Sequence, residues 1–191
     1  MTTTRRCAAT LAAILLLHAT ASCAVPLQDR PQVIDTDRRA PAETIQPDPT
    51  AEPQADTSIY VIRGGRLVRV TRQVPAGNRV ENTLASLLAG TLPAEESQQL
   101  RTAIPAAVTK VDLRTDGHIA IMRVPAAFLA LSGPEQVLAV AQLVWTVTDT
   151  GEATGLRLID NSSTPVALPV EGGDLVYRPV RRTDYHTLSP T

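Results

Sequence analysis

The sequence is poor in the residues that carry most protein chemistry. Its 191 residues include two cysteines, three histidines and one tryptophan, and aromatics make up 3%. So few rings leave little for base stacking or sugar platforms. Lys110 is the single lysine; every other basic residue is arginine, and none stands in a run longer than a pair. Without a basic stripe, no nucleic-acid partner is expected. One histidine lies in an amino-terminal leader, leaving His118 and His186 for the rest of the chain. A zinc site wants three or four nitrogen, sulfur or oxygen ligands, so no metal is expected. Nucleophile-elbow, P-loop and calcium-loop spacings are missing too. The expectation is a protein without cofactor that is not an enzyme.

What is present first is an export signal. Arg5 and Arg6 precede an apolar run from Cys7 to Leu17 and small residues up to Cys23. The run is shorter than the ~20 residues of a spanning helix. Two cleavage readings compete. Thr20-Ala21-Ser22-Cys23 reads as a lipobox, cut after residue 22 so that Cys23 takes a diacylglycerol; it resembles a bacterial lipoprotein signal with Thr20 in the usual leucine position. Ala19-Thr20-Ala21 reads instead as an ordinary A-x-A site that releases a secreted protein. Either way Cys7 leaves with the signal, and an exported chain with one remaining cysteine forms no internal disulfide. The preferred expectation is an extracytoplasmic protein anchored to the membrane through a lipid on Cys23.

Residues 23–57 read as a tether. Pro26, Pro31, Pro41, Pro47, Pro49 and Pro53 are spread among acidic, Gln and Ala residues. Such composition cannot bury enough apolar surface to offset its ordering entropy. Its reach lies between about 30 Å as a coil and about 100 Å as a polyproline extension.

Apolar periodicity starts near Ser58 and defines a domain over 58–180. Ile59–Arg63 and Arg66–Val74 predict a hairpin turning at Gly64-Gly65, with Val68 and Val70 inward. Asn78 and Glu81 have capping-box spacing, and Val80, Leu84, Leu87 and Leu88 stripe a helix that stops at Gly90. A short acidic turn follows over Pro93–Arg101. Thr109, Val111 and Leu113 alternate with polar residues, Thr115-Asp116-Gly117 turns, and His118–Val124 returns. Leu156 and Leu158 belong to a further strand. Val166–Val170 and Leu175–Val180 predict short edge segments. The tail, 181–191, has no periodicity and is expected to fray.

Between these lies the longest apolar stretch, Ser132–Thr148. Ser132 and Glu135 have capping-box spacing, and Pro134 suits a first turn. Leu138, Ala141, Val144 and Trp145 recur at helical spacing, and no charge intervenes between Glu135 and Asp149. A helix apolar nearly all round is buried. Its valines and threonines are mediocre helix formers, so packing must hold it. Leu138, Ala141 and Trp145 fall on one line, which places the indole in the core rather than on a recognition surface.

This order predicts an α+β fold: a mixed or antiparallel sheet with two main helices packed on one face. The wording of the segments then carries a resemblance. Leu87–Gly90 (LLAG), Leu100–Pro105 (LRTAIP), Val111–Gly117 (VDLRTDG), Ala141–Thr148 (AQLVWTVT) and Thr154–Leu158 (TGLRL) resemble, in matching order, the GerMN domain of bacterial envelope proteins. Thr91 departs from the family's Gly-Pro after the first helix, and the frequent duplication of the domain is missing. The resemblance implies a non-catalytic envelope module, similar in fold to ring-building domains, with no catalytic position to carry over.

Asp112 and Asp116 flank a turn and read as an outward strand residue and a turn residue rather than paired catalytic carboxylates. His118 reads as structural. Arg63, Arg66, Arg69 and Arg72 form the one cluster suited to an acidic wall polymer, against the plainer reading of a solvated strand. Two functions follow as expectations: an envelope scaffold that binds a protein or cell-wall component and self-associates weakly, or a module that binds a small ligand or muropeptide.

Overall fold

The computed structural model describes residues 52–110 and 112–190. The expected signal, Cys23 and the tether up to residue 51 lie outside the described residues, as does Val111.

Strands β1 (Gln54–Arg63) and β2 (Arg66–Pro75) pair antiparallel. They turn at Gly64 and Gly65, whose φ angles of 58° and 77° are those that let a two-residue turn follow the strand twist. The ladder runs unbroken from Arg63 opposite Arg66 to Gln54 opposite Pro75. It therefore begins before Ser58, because the full length of β2 recruits Gln54–Thr57 as its partner. Val68 and Val70 lie half-buried against the core.

Helix α1 (Arg79–Leu88) starts at Asn78, whose side chain accepts the Glu81 N–H and donates to the Glu81 carboxylate at 2.7 Å. Its buried stripe is Val80, Thr83, Leu84 and Leu87. The acidic turn is one short helix, α2 (Pro93–Glu96), followed by buried Leu100. Strand β3 (Leu113–Asp116) pairs antiparallel with β4 (Ile119–Arg123), which pairs parallel with β5 (Gly155–Ile159). The turn falls at Gly117-His118 rather than Thr115–Gly117, since Thr115 and Asp116 pair with Ala120 and Ile119. Between β4 and β5 run α3 (Ala126–Leu129) and the long α4 (Gly133–Asp149). Strands β6 (Leu168–Pro169) and β7 (Leu175–Val176) form a two-stranded ladder. Gly155 leaves little room for a side chain: a Cβ there would sit 3.1 Å from the Val180 carbonyl oxygen.

Two further expectations are corrected. Ser132 occupies the N-cap of α4, but its hydroxyl makes no capping bond. Glu135 turns instead to Arg101, in a two-pronged ion pair at 3.0 and 3.1 Å. A fully charged partner outcompetes a backbone N–H for that carboxylate. The tail is also ordered. A 3-10 segment spans Arg182–Leu188, kinked at Tyr185, whose side chain is fully buried and donates to the Pro169 carbonyl at 2.8 Å. One deeply seated residue, not a periodic stripe, anchors it.

The architecture is α+β, with separate ladders instead of one continuous sheet. The reason lies on α4. Within its buried run Ala139–Val144 and Thr146–Val147, two residues are polar, Gln142 and Thr146. Gln142 Nε2 donates to the Tyr60 carbonyl at 2.9 Å, and the Tyr60 N–H donates to Thr146 Oγ1 at 3.1 Å. Gln142 Oε1 also accepts the Ala103 N–H at 2.7 Å. At Tyr60 a helix thus supplies the hydrogen bonds that a third strand would give to β1. Gln142→Leu keeps the volume and strands the Tyr60 carbonyl and the Ala103 N–H, at about 1–3 kcal/mol for each. Denaturant unfolding should show that loss; unchanged stability would contradict the edge-capping role.

Candidate functional site

Where α4 ends, its last turn gathers charges and rings from distant parts of the chain. Tyr60 on β1 donates to Asp149 Oδ1 at 3.0 Å. Arg182, from the 3-10 segment, reaches the same oxygen at 2.8 Å and donates to Thr148 Oγ1 at 2.7 Å. Arg69 on β2 approaches Asp149 Oδ2 at 3.3 Å and donates to Ser58 Oγ at 2.7 Å. The Arg182 guanidinium lies 4.6 Å from the centre of the Trp145 ring, which tilts against Tyr60 at 5.5 Å. A cation over an indole face is attracted by the ring quadrupole. A helix C-terminus also favours cations and penalises an acid such as Asp149, which the two arginines offset.

The electrostatics follow this geometry. Burial opposes ionisation of Asp149, but the bonds from Arg182 and Tyr60 outweigh it and hold the carboxyl below its ordinary range. Burial, then the bond to Asp149, pushes the Tyr60 phenol up. With three donors on its two oxygens, Asp149 is a structural acceptor, poorly suited to take a proton from a substrate. Beside it a cavity of about 400 Å³ opens, lined by Thr148, Thr154, Arg181 and Arg182 among others. Among the described residues no three His, Cys, Asp or Glu side chains converge as metal ligands.

The residues singled out from sequence are dispersed. Trp145 is half-buried, packed on the core and covered by Arg182 and Tyr60, not enclosed as its spacing predicted. Its indole N–H finds no acceptor among the described residues, so stacking holds the ring. Ala141 and Val144 are in the core, and Leu138 packs against it. The four hairpin arginines do not act as one patch. Strand alternation sets Arg63, Arg66 and Arg72 on one face and Arg69 on the other. Arg72 is spent inside, bonded to Glu95 at 2.6 Å and to the Gly90 carbonyl. Arg63 and Arg66 are exposed. Asp112 faces Arg123 at 3.4 Å, and His118 is exposed. Tyr60, Asp149 and Arg182 carried no local signal.

A family model described as Germane: Sporulation and spore germination matches residues 48–174. The chain belongs to the Germane family. Among solved structures, it is similar to the tandem GerMN domains of the sporulation protein GerM from Bacillus subtilis, at 18% identity and a TM-score of 0.55. That match covers 69% of this chain and 48% of the tandem, so the chain spans about half the length of that structure. The first GerMN domain of the same protein matches at 17% identity and a TM-score of 0.50, covering 68% of this chain and 98% of that one. No curated protein matches the sequence. The resemblance read from the segments holds: the fold is that of a GerM-type domain, a sporulation and germination module.

The site yields a pH signature. Asp149 is depressed, so its contribution is present above the unfolded carboxyl value of about 3.9 and is lost as pH falls through its folded value. Tyr60 is raised, so its contribution is present below about 10 and is lost as pH rises further. Asp149→Asn should cost about 1–2 kcal/mol near neutrality, since Arg69 and Arg182 stay partly in water, and should flatten the acid limb. Melting temperatures across pH check this; an acid limb unchanged in the variant would refute it.

Proposed function

We propose that this protein is a non-enzymatic envelope lipoprotein whose GerM-type domain binds another envelope protein or a cell-wall component. The observation that carries the reading is the use of its polar groups. The acids with depressed pKa, Asp149 and Asp184, are both committed to arginines, Asp149 to Arg69 and Arg182 and Asp184 to Arg178 at 2.6 Å. The raised phenols are tied down too, Tyr60 by Asp149 and Tyr185 in the core. Perturbed groups poised for catalysis would face a cavity with a free lone pair or proton. Here they hold segments together. The lipid on Cys23 would supply the anchor and the proline-rich tether the reach into the wall, without catalysis. Among the described residues no helix is long and apolar enough to cross a membrane.

One observation favours the small-ligand reading. A cavity of about 540 Å³ is lined by Lys110, Arg123, Glu81 and Asp112, charges of both signs that would suit a zwitterionic muropeptide. Fractionation in a bacterial host tests the anchor: wild type should sediment with membranes, and Cys23→Ala should move to the soluble exported fraction. A soluble wild-type protein beginning at Ser22 would replace the lipid anchor with secretion. Saturable binding of purified muropeptides by a monomer, lost on Arg123→Ala, would replace the protein-binding role.

A further inference from the structure

The hairpin has two edges, and they are treated differently. In a two-residue hairpin the residues flanking the turn exchange hydrogen bonds, and such pairs then alternate along the ladder. With Arg63 opposite Arg66 as the first pair, Asp56 and Ser58 at the far end, and Tyr60 and Ile62 nearer the turn, direct their backbone groups away from β2. The two nearer the turn are satisfied: Ile62 exchanges bonds of 2.8 and 2.9 Å with Arg101, and Tyr60 is capped by Gln142 and Thr146.

The same alternation turns the N–H and C=O of Arg69, Thr71 and Gln73 outward on β2. No described residue bonds to these groups, and all three residues are exposed. Proteins protect such an edge with bulges, proline, very short strands or charged side chains. Here the ladder has no bulge across ten residues of β2, and its proline comes last, at Pro75. Its exposed charges, Arg66 and Arg69, are the one such device present; they disfavour a like-charged strand and leave the backbone open to an acidic one.

Charge selects the occupant. A second copy paired antiparallel about Arg69 would set Arg69 opposite Arg69, and directly opposed like charges destabilise a sheet; one paired about Thr71 would set Gln73 opposite Arg69 and Ala76 opposite Arg66, supplying neither arginine with a carboxylate. Arg66 has no ion-pair partner among the described residues, and Arg69 keeps 62% of its side chain exposed while touching Asp149. Arg66 offers unpaired positive charge on one face of the strand, which suits a partner strand that carries its carboxylates on that face. We infer that the open edge of β2, Arg69–Gln73, receives an acidic, extended segment of a partner protein by strand addition. This deepens the protein-binding reading proposed above and rests on it.

The probe is the blocked peptide Thr-Glu-Val-Glu-Val-Glu-Thr, titrated into isotope-labelled protein and followed by amide shifts, with a lysine-for-glutamate version as control. Shifts should centre on Arg69, Thr71 and Gln73, weaken with salt, and be missing with the lysine peptide. Thr71→Pro removes one outward N–H and spares the bonds to β1; it should weaken binding about tenfold, as loss of ~1.4 kcal/mol does. Arg66→Glu, at an exposed position outside the core, should weaken it comparably and covers the case in which the proline variant does not fold. No binding, equal binding of the lysine peptide, or binding indifferent to both variants would overturn the inference. So would a self-associated form whose contacts lie on this edge. Shifts confined to another surface would overturn the edge and leave a protein-binding domain standing. Membrane fractionation is decided separately.

Discussion

Two side chains of one helix hold the architecture in place. Gln142 and Thr146 stand one turn apart on α4 and meet the backbone of Tyr60 on both its donor and acceptor. Each lies in a run of apolar residues that no solvent reaches. In that setting a lost partner costs more than a made bond contributes, because the stranded group has no water to turn to. The pairing therefore fixes the register of helix against strand, and Gln142 extends it to Ala103. A helix sealing β1 also explains why the hairpin does not join the three-stranded sheet.

From that register the rest of the functional face follows. With Tyr60 fixed opposite Thr146, its ring falls beside Trp145 and its hydroxyl reaches Asp149 at the last residue of the helix. Arg182 can then span the Trp145 face, Thr148 and Asp149 at once, which ties the 3-10 segment to the helix end. Tyr185, three residues on, is sunk in the core. These contacts make the end of α4 a clamp among strand, helix and tail. The same sealing leaves β2 as the hairpin's open side.

Much of this was legible in the sequence where the signal was periodic. The glycine pair at residues 64 and 65, the Val80–Leu84–Leu87 stripe, the β4–β5 apolar residues and the long apolar helix each announced an element through local chemistry. The GerMN resemblance joined them into a fold. Contacts between distant residues were not legible. Tyr60 and Asp149 are 89 positions apart, and Arg182 meets Asp149 across 33; nothing in either neighbourhood advertises the other. Three local readings failed for the same reason. Glu135 fitted a capping box until Arg101 offered it a guanidinium, and the tail lacked periodicity because one tyrosine anchors it. Arg72 read like its neighbours until Glu95 enclosed it. Gln142 and Thr146, polar residues at i and i+4 in an apolar helix, were a signal that apolar periodicity passes over.

Backbone hydrogen exchange tests the central claim most directly, because it reads the two hairpin edges separately. If helix side chains seal β1, the Tyr60 amide, bonded to Thr146 in the core, should exchange only through global unfolding, while the outward Thr71 amide exchanges at nearly the rate of an open chain. Gln142→Leu combined with Thr146→Val should collapse that difference. A Tyr60 amide that already exchanges as fast as Thr71 in the wild-type protein would contradict the account.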